Sequence, residues 1–180
     1  LRSALTPEAI EALEQEVIPQ AYNPYPQPTH NYNVNNHELP SPVTCRDVLG
    51  GLPEPEHSED LAQQSFSGAK YLGNGSQGQT EISLDGLGPT IRSEHHGNIE
   101  FRRLSAEHGG KHHDELGRGL AERRLTPREC ALIQTFPPDY PFVFHKLASK
   151  KYAVSPSGAY KVIGNAVPPM MAYNIARRIQ

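Results

Sequence analysis

The chain has 180 residues and a mass of 19.9 kDa, enough for one domain or for a small domain with appendages. Leu, Ile, Val and Phe together number 38, about 21% of the chain and just above the roughly 20% needed to bury a core. No apolar run approaches the roughly 18 residues of a membrane span, and we expect no secretion signal. The composition predicts a soluble intracellular protein that does not bind membranes. Its only cysteines, Cys45 and Cys130, exclude a disulfide framework and give no sign of a zinc site.

Charge is distributed unevenly along the chain. Residues 1–60 contain ten acidic and two basic residues, whereas residues 61–180 contain fifteen Lys or Arg, ten acidic residues and six of the nine histidines. This asymmetry suggests that the later two thirds face a polyanion. Ordinary solvated surface accounts for the same excess, so charge alone does not decide the point.

The first 50 residues predict two helices and a linker. Thr6 has the character of an N-cap and Pro7 suits a first helical position, so a helix is expected from Pro7 to about Val17. The Pro- and Asn-rich stretch 19–42 predicts an extended linker or surface strap. Thr44 to Leu49 predicts a short helix that ends at a glycine pair.

The segment 61–120 carries eleven of the fifteen glycines. Short segments at 81–84 and 89–92 predict strands, and the frequent turns predict a small, irregular β-rich module with long loops. These loops hold polar side chains suited to contacts with a ligand, namely Arg92, His95, His96, Asn98, Arg102 and Arg103.

The last third of the chain gives sharper signals. Thr126 and Glu129 have the spacing of a capping box, with Pro127 at the first helical position, and the helix is expected to end near Phe136. Pro168 and Pro169 predict the start of a second helix. Its apolar residues recur on one face, which must pack on something; they are Val167, Met170, Met171, Ile175 and Ile179.

Two blocks of this region resemble the bacterial DNA cytosine-5 methyltransferase family. Residues 123–137, Arg-Arg-Leu-Thr-Pro-Arg-Glu-Cys-Ala-Leu-Ile-Gln-Thr-Phe-Pro, look like its ninth ordered motif, except that Leu132 stands where many members have Arg. Residues 160–169, Tyr-Lys-Val-Ile-Gly-Asn-Ala-Val-Pro-Pro, look like its tenth and last motif. The family places its target-recognition region before the ninth motif, and Thr90 with Ile91 resembles the Thr-plus-aliphatic pair found there.

The resemblance implies roles for particular residues. Thr90 is expected to contact a DNA phosphate near the extruded cytosine, and the polar loop residues of the recognition module are expected to contact phosphates or base edges of double-stranded DNA. Gly164, Asn165, Ala166 and Val167 are expected to approach the S-adenosylmethionine site. The terminal helix is expected to pack on a neighbouring α/β (Rossmann-like) catalytic domain.

The residues that carry the family's chemistry do not occur in this sequence. The resemblance implies a chemistry in which a cysteine that follows a proline attacks C6 of a flipped cytosine. A glutamate in a Glu-Asn-Val segment assists this attack. Neither Cys45 nor Cys130 follows a proline, and the glycine-rich motif of the first strand does not occur either. No catalytic residue and no metal ligand is therefore assigned to this chain, which is predicted to transfer no methyl groups alone.

The sequence predicts an α+β fold in four parts. These are an N-terminal helix and linker (1–43), a target-recognition domain (44–122), the ninth-motif region (123–159) and the tenth-motif helix (160–180). The function expected is that of the C-terminal part or small subunit of a cytosine-5 methyltransferase of a bacterial, cytoplasmic restriction–modification system, partnered by the catalytic part that carries the first eight motifs.

Two alternatives remain open. A non-catalytic, sequence-specific DNA-binding protein would bury the apolar face of its terminal helix within its own chain. A metal-dependent nuclease would use the His-, Asn- and Asp-rich stretch between residues 95 and 114, although the spacing there matches no helix-borne ligand motif.

Overall fold

The computed structural model describes residues 28–31, 38–73, 75–93 and 99–179. The predicted N-terminal helix lies outside these residues, as does most of the predicted linker. The described elements are helix α1 (Cys45–Leu49), a single 3-10 turn (Pro55–His57), strand β1 (Phe101–Arg103), helix α2 (His113–Gly117), strand β2 (Arg123–Arg124), helix α3 (Pro127–Ile133), strands β3 (Phe144–His145) and β4 (Tyr152–Val154), and helices α4 (Pro156–Asn165) and α5 (Pro169–Ile179).

The strands form two small antiparallel ladders, one of β1 with β2 and one of β3 with β4. Short helices mixed with small antiparallel sheets agree with the predicted α+β class. The predicted strands at 81–84 and 89–92 are wrong, because only Glu81 forms a bridge, with Phe101. The Leu84 and Gly86 carbonyls accept from the first N–H groups of α1, and residues 88–93 lie against the ends of α3 and α4.

Local capping chemistry defines the helices. The predicted short helix is α1, capped by Thr44, whose Oγ1 accepts from the Asp47 N–H. The predicted capping box of α3 is present: the Glu129 N–H donates to Thr126 Oγ1 at 3.0 Å, and the Thr126 N–H donates to the Glu129 carboxylate at 2.9 Å. Both helices therefore begin where the sequence predicted.

Helix α3 ends at Ile133, earlier than predicted, because Thr135 adopts a left-handed conformation with φ of 64°. The Phe136 N–H then donates to the Ala131 carbonyl and closes the helix end. A glycine would relieve the strain of positive φ, but the Thr135 hydroxyl has a use, since it accepts from the Met170 N–H at 3.1 Å. One side chain thus links the end of α3 to the start of α5.

A single apolar cluster joins residues on both sides of the predicted boundary at 122/123. Helix α3 packs against both α1 and α4. The buried side chains of this cluster are Cys45, Leu49, Ala62, Ile82, Leu84, Ile91, Ile99, Leu125, Cys130, Ala131, Phe142, Val143, Ala159, Tyr160 and Ile163. No helix among the described residues is both long and apolar enough to cross a membrane.

Candidate nucleic-acid interface

The two blocks that carry the family resemblance pack against each other. The Tyr160 hydroxyl on α4 donates to the Leu125 carbonyl at 2.6 Å, and both residues are buried. The Gln134 side-chain amide, just beyond α3, donates to the Ile163 carbonyl at 3.2 Å. The first contact ties the middle of α4 to the residues just before α3, and the second ties the ends of the two helices together.

Residues 88–93, which we name the Thr90 strap, cross the ends of these two helices. At its start Gly88 lies on Ile133 of α3 so closely that an added Cβ would overlap the Ile133 side chain. At its end a Cβ added to Gly164 of α4 would overlap the backbone of Arg92 and Ser93. Two glycine contacts therefore clamp the strap, and neither position has room for a side chain.

The clamped strap presents Thr90 to solvent. Ile91 points into the core and is 5% exposed, whereas Thr90 is exposed. The Arg92 guanidinium donates to Glu100 at 2.9 Å while its side chain stays one quarter exposed. Thr90 and Arg92 are thus the described members of the predicted DNA-contact set that reach the surface.

The structure corrects the assignment of Arg102 and Arg103 to DNA. Both lie on β1, with exposed fractions of 6% and 1%. Arg102 donates twice to the Glu115 carboxylate, at 2.6 and 3.1 Å, and Arg103 donates to Glu115 at 2.5 Å and to Glu54 at 3.1 Å. Removing one partner of a buried ion pair costs about 3–5 kcal/mol, so these guanidinium groups are structural and are not available to a duplex.

Strand β2 continues this network. Arg123 donates to the Glu129 carboxylate at 2.8 and 2.9 Å and to Glu54 at 2.9 Å. Arg103 shares the Glu54 carboxylate with it. Glu129 therefore serves both the capping box of α3 and the ion pair that ties α3 to the ladder, a double role that the capping spacing alone does not reveal.

Arg124 has a different role: its hydrogen bonds go to the backbone, and its guanidinium lies 4.0 Å from the centroid of the Phe101 ring. Its guanidinium donates to carbonyl oxygens of Ala69, Lys70, Gly78 and Ile99. Its exposed fraction is 1%. One side chain thus supplies hydrogen bonds to four backbone carbonyls of the loop-rich module, where few strand partners are present to do so.

The histidine-rich stretch does not form a metal centre in the described part of the chain. His95, His96 and Asn98 lie outside the described residues. His112 has one ring nitrogen 3.1 Å from the Ile82 carbonyl oxygen and the other 3.3 Å from the Arg102 guanidinium. Among the residues that the structure describes, no group of three or more His, Cys, Asp or Glu is placed to hold a metal ion.

The four residues predicted to approach the cofactor lie where α4 ends. The room left by Gly164 is filled by the Thr90 strap, so its lack of a side chain is explained without a ligand. Asn165 and Val167 are exposed, and Ala166 is half-buried with its N–H bonded to the Ile163 carbonyl. The side chains of Asn165 and Val167 are thus accessible to a ligand, and the cofactor role of these four residues stays a prediction.

Neither thiol of the chain is disposed to act as a nucleophile. Cys45 and Cys130 are free and buried, with exposed fractions of 1% and 0%. Burial raises the pKa of both thiols above the usual value, most strongly for Cys130. Because the thiolate is the reactive form, the two side chains behave as packing residues.

The terminal helix exposes the apolar residues that the sequence placed on one face. Val167, Met170, Met171 and Ile175 are 60%, 53%, 56% and 37% exposed. Tyr173, at 55%, extends the same surface. The residues that the structure describes therefore leave this face of α5 uncovered.

Comparison with known proteins places the chain in a family. The model of the family described as C-5 cytosine-specific DNA methylase matches residues 22–180. The chain belongs to this family. C-5 cytosine methylases are transferases of restriction–modification systems, and S-adenosylmethionine is the family's methyl donor.

The curated relatives of this C-5 cytosine methylase family member are named as Type II methyltransferases. It is 27% identical over 165 residues to the Type II methyltransferase M.MthTI of Methanothermobacter thermautotrophicus, covering 79% of this chain and 46% of the relative. It is 47% identical over 58 residues to M.FnuDI of Fusobacterium nucleatum, covering 32% and 14%.

A third relative is M.AquIB of Picosynechococcus sp., 39% identical over 62 residues that cover 32% of this chain and 42% of the relative. The chain thus spans less than half the length of each of these three relatives. No solved structure matches it.

Proposed function

We propose that this chain supplies target recognition and one edge of the cofactor site to a DNA cytosine-5 methyltransferase of a restriction–modification system. The reactive cysteine then belongs to a catalytic portion outside this sequence, either in the same polypeptide or in a separate subunit. The catalytic portion would carry the Pro-Cys and Glu-Asn-Val segments and the glycine-rich first strand that this sequence lacks.

The observation that carries the proposal is the uncovered apolar face of α5, which directly follows the tenth motif. Met170 and Met171 are more than half exposed. Burying such side chains is worth about 1.5–3 kcal/mol each, so a partner that covers them gains affinity. A self-contained DNA-binding protein would cover this face with its own chain. The described residues do not cover it, which makes that alternative the weaker of the two.

The open cofactor edge agrees with the same proposal. Asn165 would offer one donor and one acceptor to S-adenosylmethionine, and Val167 an apolar contact. The bound cofactor supplies the methyl group. Docking of α5 would bring this edge against the catalytic portion, since only three residues, 166–168, separate α4 from α5.

The short relative M.AquIB favours a separate subunit as one form of this arrangement. The 62 matched residues amount to 42% of that relative, which is therefore itself shorter than the present chain. A chain of this size can thus carry the name of a methyltransferase.

A methyl-transfer assay tests the proposal. The chain, the catalytic portion encoded with it, and their mixture are each incubated with tritiated S-adenosylmethionine and duplex DNA of mixed sequence. We expect label in the DNA with the mixture and none with this chain alone. Label incorporated by the chain alone would refute the proposal.

Variants of α5 provide the matched control. Met170→Glu with Met171→Glu should lower the activity of the mixture at least tenfold, because two charges would enter the docking surface. Met170→Leu with Met171→Leu keeps the face apolar and should leave the activity within about twofold. Equal activities of the two double variants would show that α5 does not dock.

A further inference from the structure

The positive charge available on the surface is concentrated near the end of the chain. Residues 140–180 contain six Lys or Arg and no Asp or Glu. Upstream, the described arginines are largely committed to carboxylates or carbonyls of the chain, as Arg102, Arg123 and Arg128 illustrate. Among the described residues, the exposed cations that form no ion pair are the six lysines together with Arg118 and Arg177, and four of these lysines lie between residues 146 and 161.

Three of these lysines occupy the tip of the β3–β4 hairpin. The Lys146 N–H donates to the Lys151 carbonyl at 2.9 Å, and the Lys151 N–H donates to the Ser149 hydroxyl at 2.9 Å. At the base of the hairpin the His145 and Tyr152 rings stack with centroids 4.6 Å apart. The hairpin is thus a defined structural element.

The hairpin stands out from the body of the protein. All residues from 144 to 153 are exposed, including Lys146, Lys150 and Lys151. Within the described part of the chain none of these three ammonium groups has an ion-pair partner. Lys161, exposed on α4, adds a fourth unpaired cation.

We infer that the β3–β4 hairpin, with Lys161, is a second DNA-binding element that holds the phosphate backbone of the duplex independently of sequence. This inference rests on the proposed function and adds a surface outside the predicted recognition module. Duplex DNA is the partner of matching chemistry, because it presents closely spaced negative charges and each neutralised phosphate releases a counterion. Flexible lysines suit phosphate contacts that need no fixed geometry.

The hairpin and the Thr90 strap lie at the two ends of one helix, α4. The hairpin leads through Ser155 into the start of α4, and the strap crosses the end of the same helix at Gly164. A ten-residue helix is about 15 Å long, less than half a turn of B-DNA. Lys161 lies on this helix, so a duplex could contact the hairpin, Lys161 and the strap together.

Fluorescence anisotropy of a labelled 20-base-pair duplex of arbitrary sequence tests the inference with the full chain. Lys146→Gln, Lys150→Gln and Lys151→Gln are combined in one variant. Since each phosphate contact contributes about 0.9 to the slope of log K against log salt, we expect the slope to fall by about 2–3 and the affinity at 0.15 M salt to fall at least tenfold. A control variant combining Lys70→Gln, Lys111→Gln and Arg118→Gln removes the same charge from exposed sites elsewhere and should have a smaller effect on both.

The outcomes separate the inference from the proposed function. If the wild-type chain binds the duplex but the hairpin variant loses no more affinity than the control variant, the inference is overturned and the proposed function stands. If the hairpin variant binds DNA normally but lowers methyl transfer by the mixture, the hairpin docks on protein, which also overturns the inference. If the wild-type chain bound no duplex at all, both the inference and the proposed function would be overturned. Because all substituted side chains are exposed, misfolding is not expected, and circular dichroism checks it.

Discussion

Gly164→Ala is expected to lower the free energy of unfolding by about 1–3 kcal/mol, although alanine is normally the better helix former. The added methyl group would overlap the backbone of Arg92 and Ser93, which cannot move aside as a side chain would. Either the Thr90 strap lifts or the end of α4 shifts. Chemical denaturation measures the loss, and faster hydrogen exchange at the strap amides would locate it.

Gly158→Ala is the matched control for this substitution. It lies on the same helix, and its added Cβ would be 3.5 Å from Ser155 Oγ and Val154 Cγ1, an ordinary contact. Helix propensity then favours alanine by about 0.5–1 kcal/mol. If both variants were equally stable, the close approach of Gly164 to the strap would not hold in solution.

Glu54→Gln is expected to lower the free energy of unfolding by about 3 kcal/mol at pH 7. In acid, the difference in stability between the wild type and this variant should disappear. Burial alone would raise the pKa of Glu54, but hydrogen bonds from Arg123 and Arg103 lower it from 4.5 to about 2. A carboxyl whose folded pKa is lowered stabilises the protein fully above its unfolded pKa, and this contribution is lost as pH falls from about 4.5 towards 2. Lowering the pKa of Glu54 from 4.5 to about 2 corresponds to roughly 3 kcal/mol.

Denaturation of the wild type and the variant across this pH range measures the effect. The difference between them should shrink as pH falls below 4.5. Glu56→Gln, in the same 3-10 turn but exposed, should follow the wild type at every pH. A constant difference between wild type and Glu54→Gln down to pH 2 would contradict the shared ion pair.

Features fixed by neighbouring residues could be predicted from the sequence. The capping box of Thr126 and Glu129 needs only the spacing of three residues, and the start of α5 needs only its prolines. The exposed face of α5 also followed from sequence, because its apolar residues had no evident internal partner. These predictions are confirmed.

Features that depend on distant residues could not be predicted. Glu54 meets Arg103 across 49 positions and Glu115 meets Arg102 across 13, so the local sequence pattern does not reveal that carboxylates engage these two arginines. Because glycine lets another group approach the backbone closely, the sequence predicts that Gly164 lies near the cofactor. It does not reveal that the Arg92 backbone packs against Gly164. The hydrogen bond from the Met170 N–H to the Thr135 hydroxyl, which links α5 to the end of α3, is a contact of the same kind.

The location of the reactive thiol tests the central claim most directly. The mixture of this chain and its catalytic portion is incubated with S-adenosylmethionine and duplex DNA in which every cytosine carries fluorine at C5. After methyl transfer no proton remains at C5 to be removed, so the thiol stays bonded to C6 and mass spectrometry identifies the cysteine. We predict an adduct on a cysteine of the catalytic portion; an adduct on Cys45 or Cys130 would contradict the account.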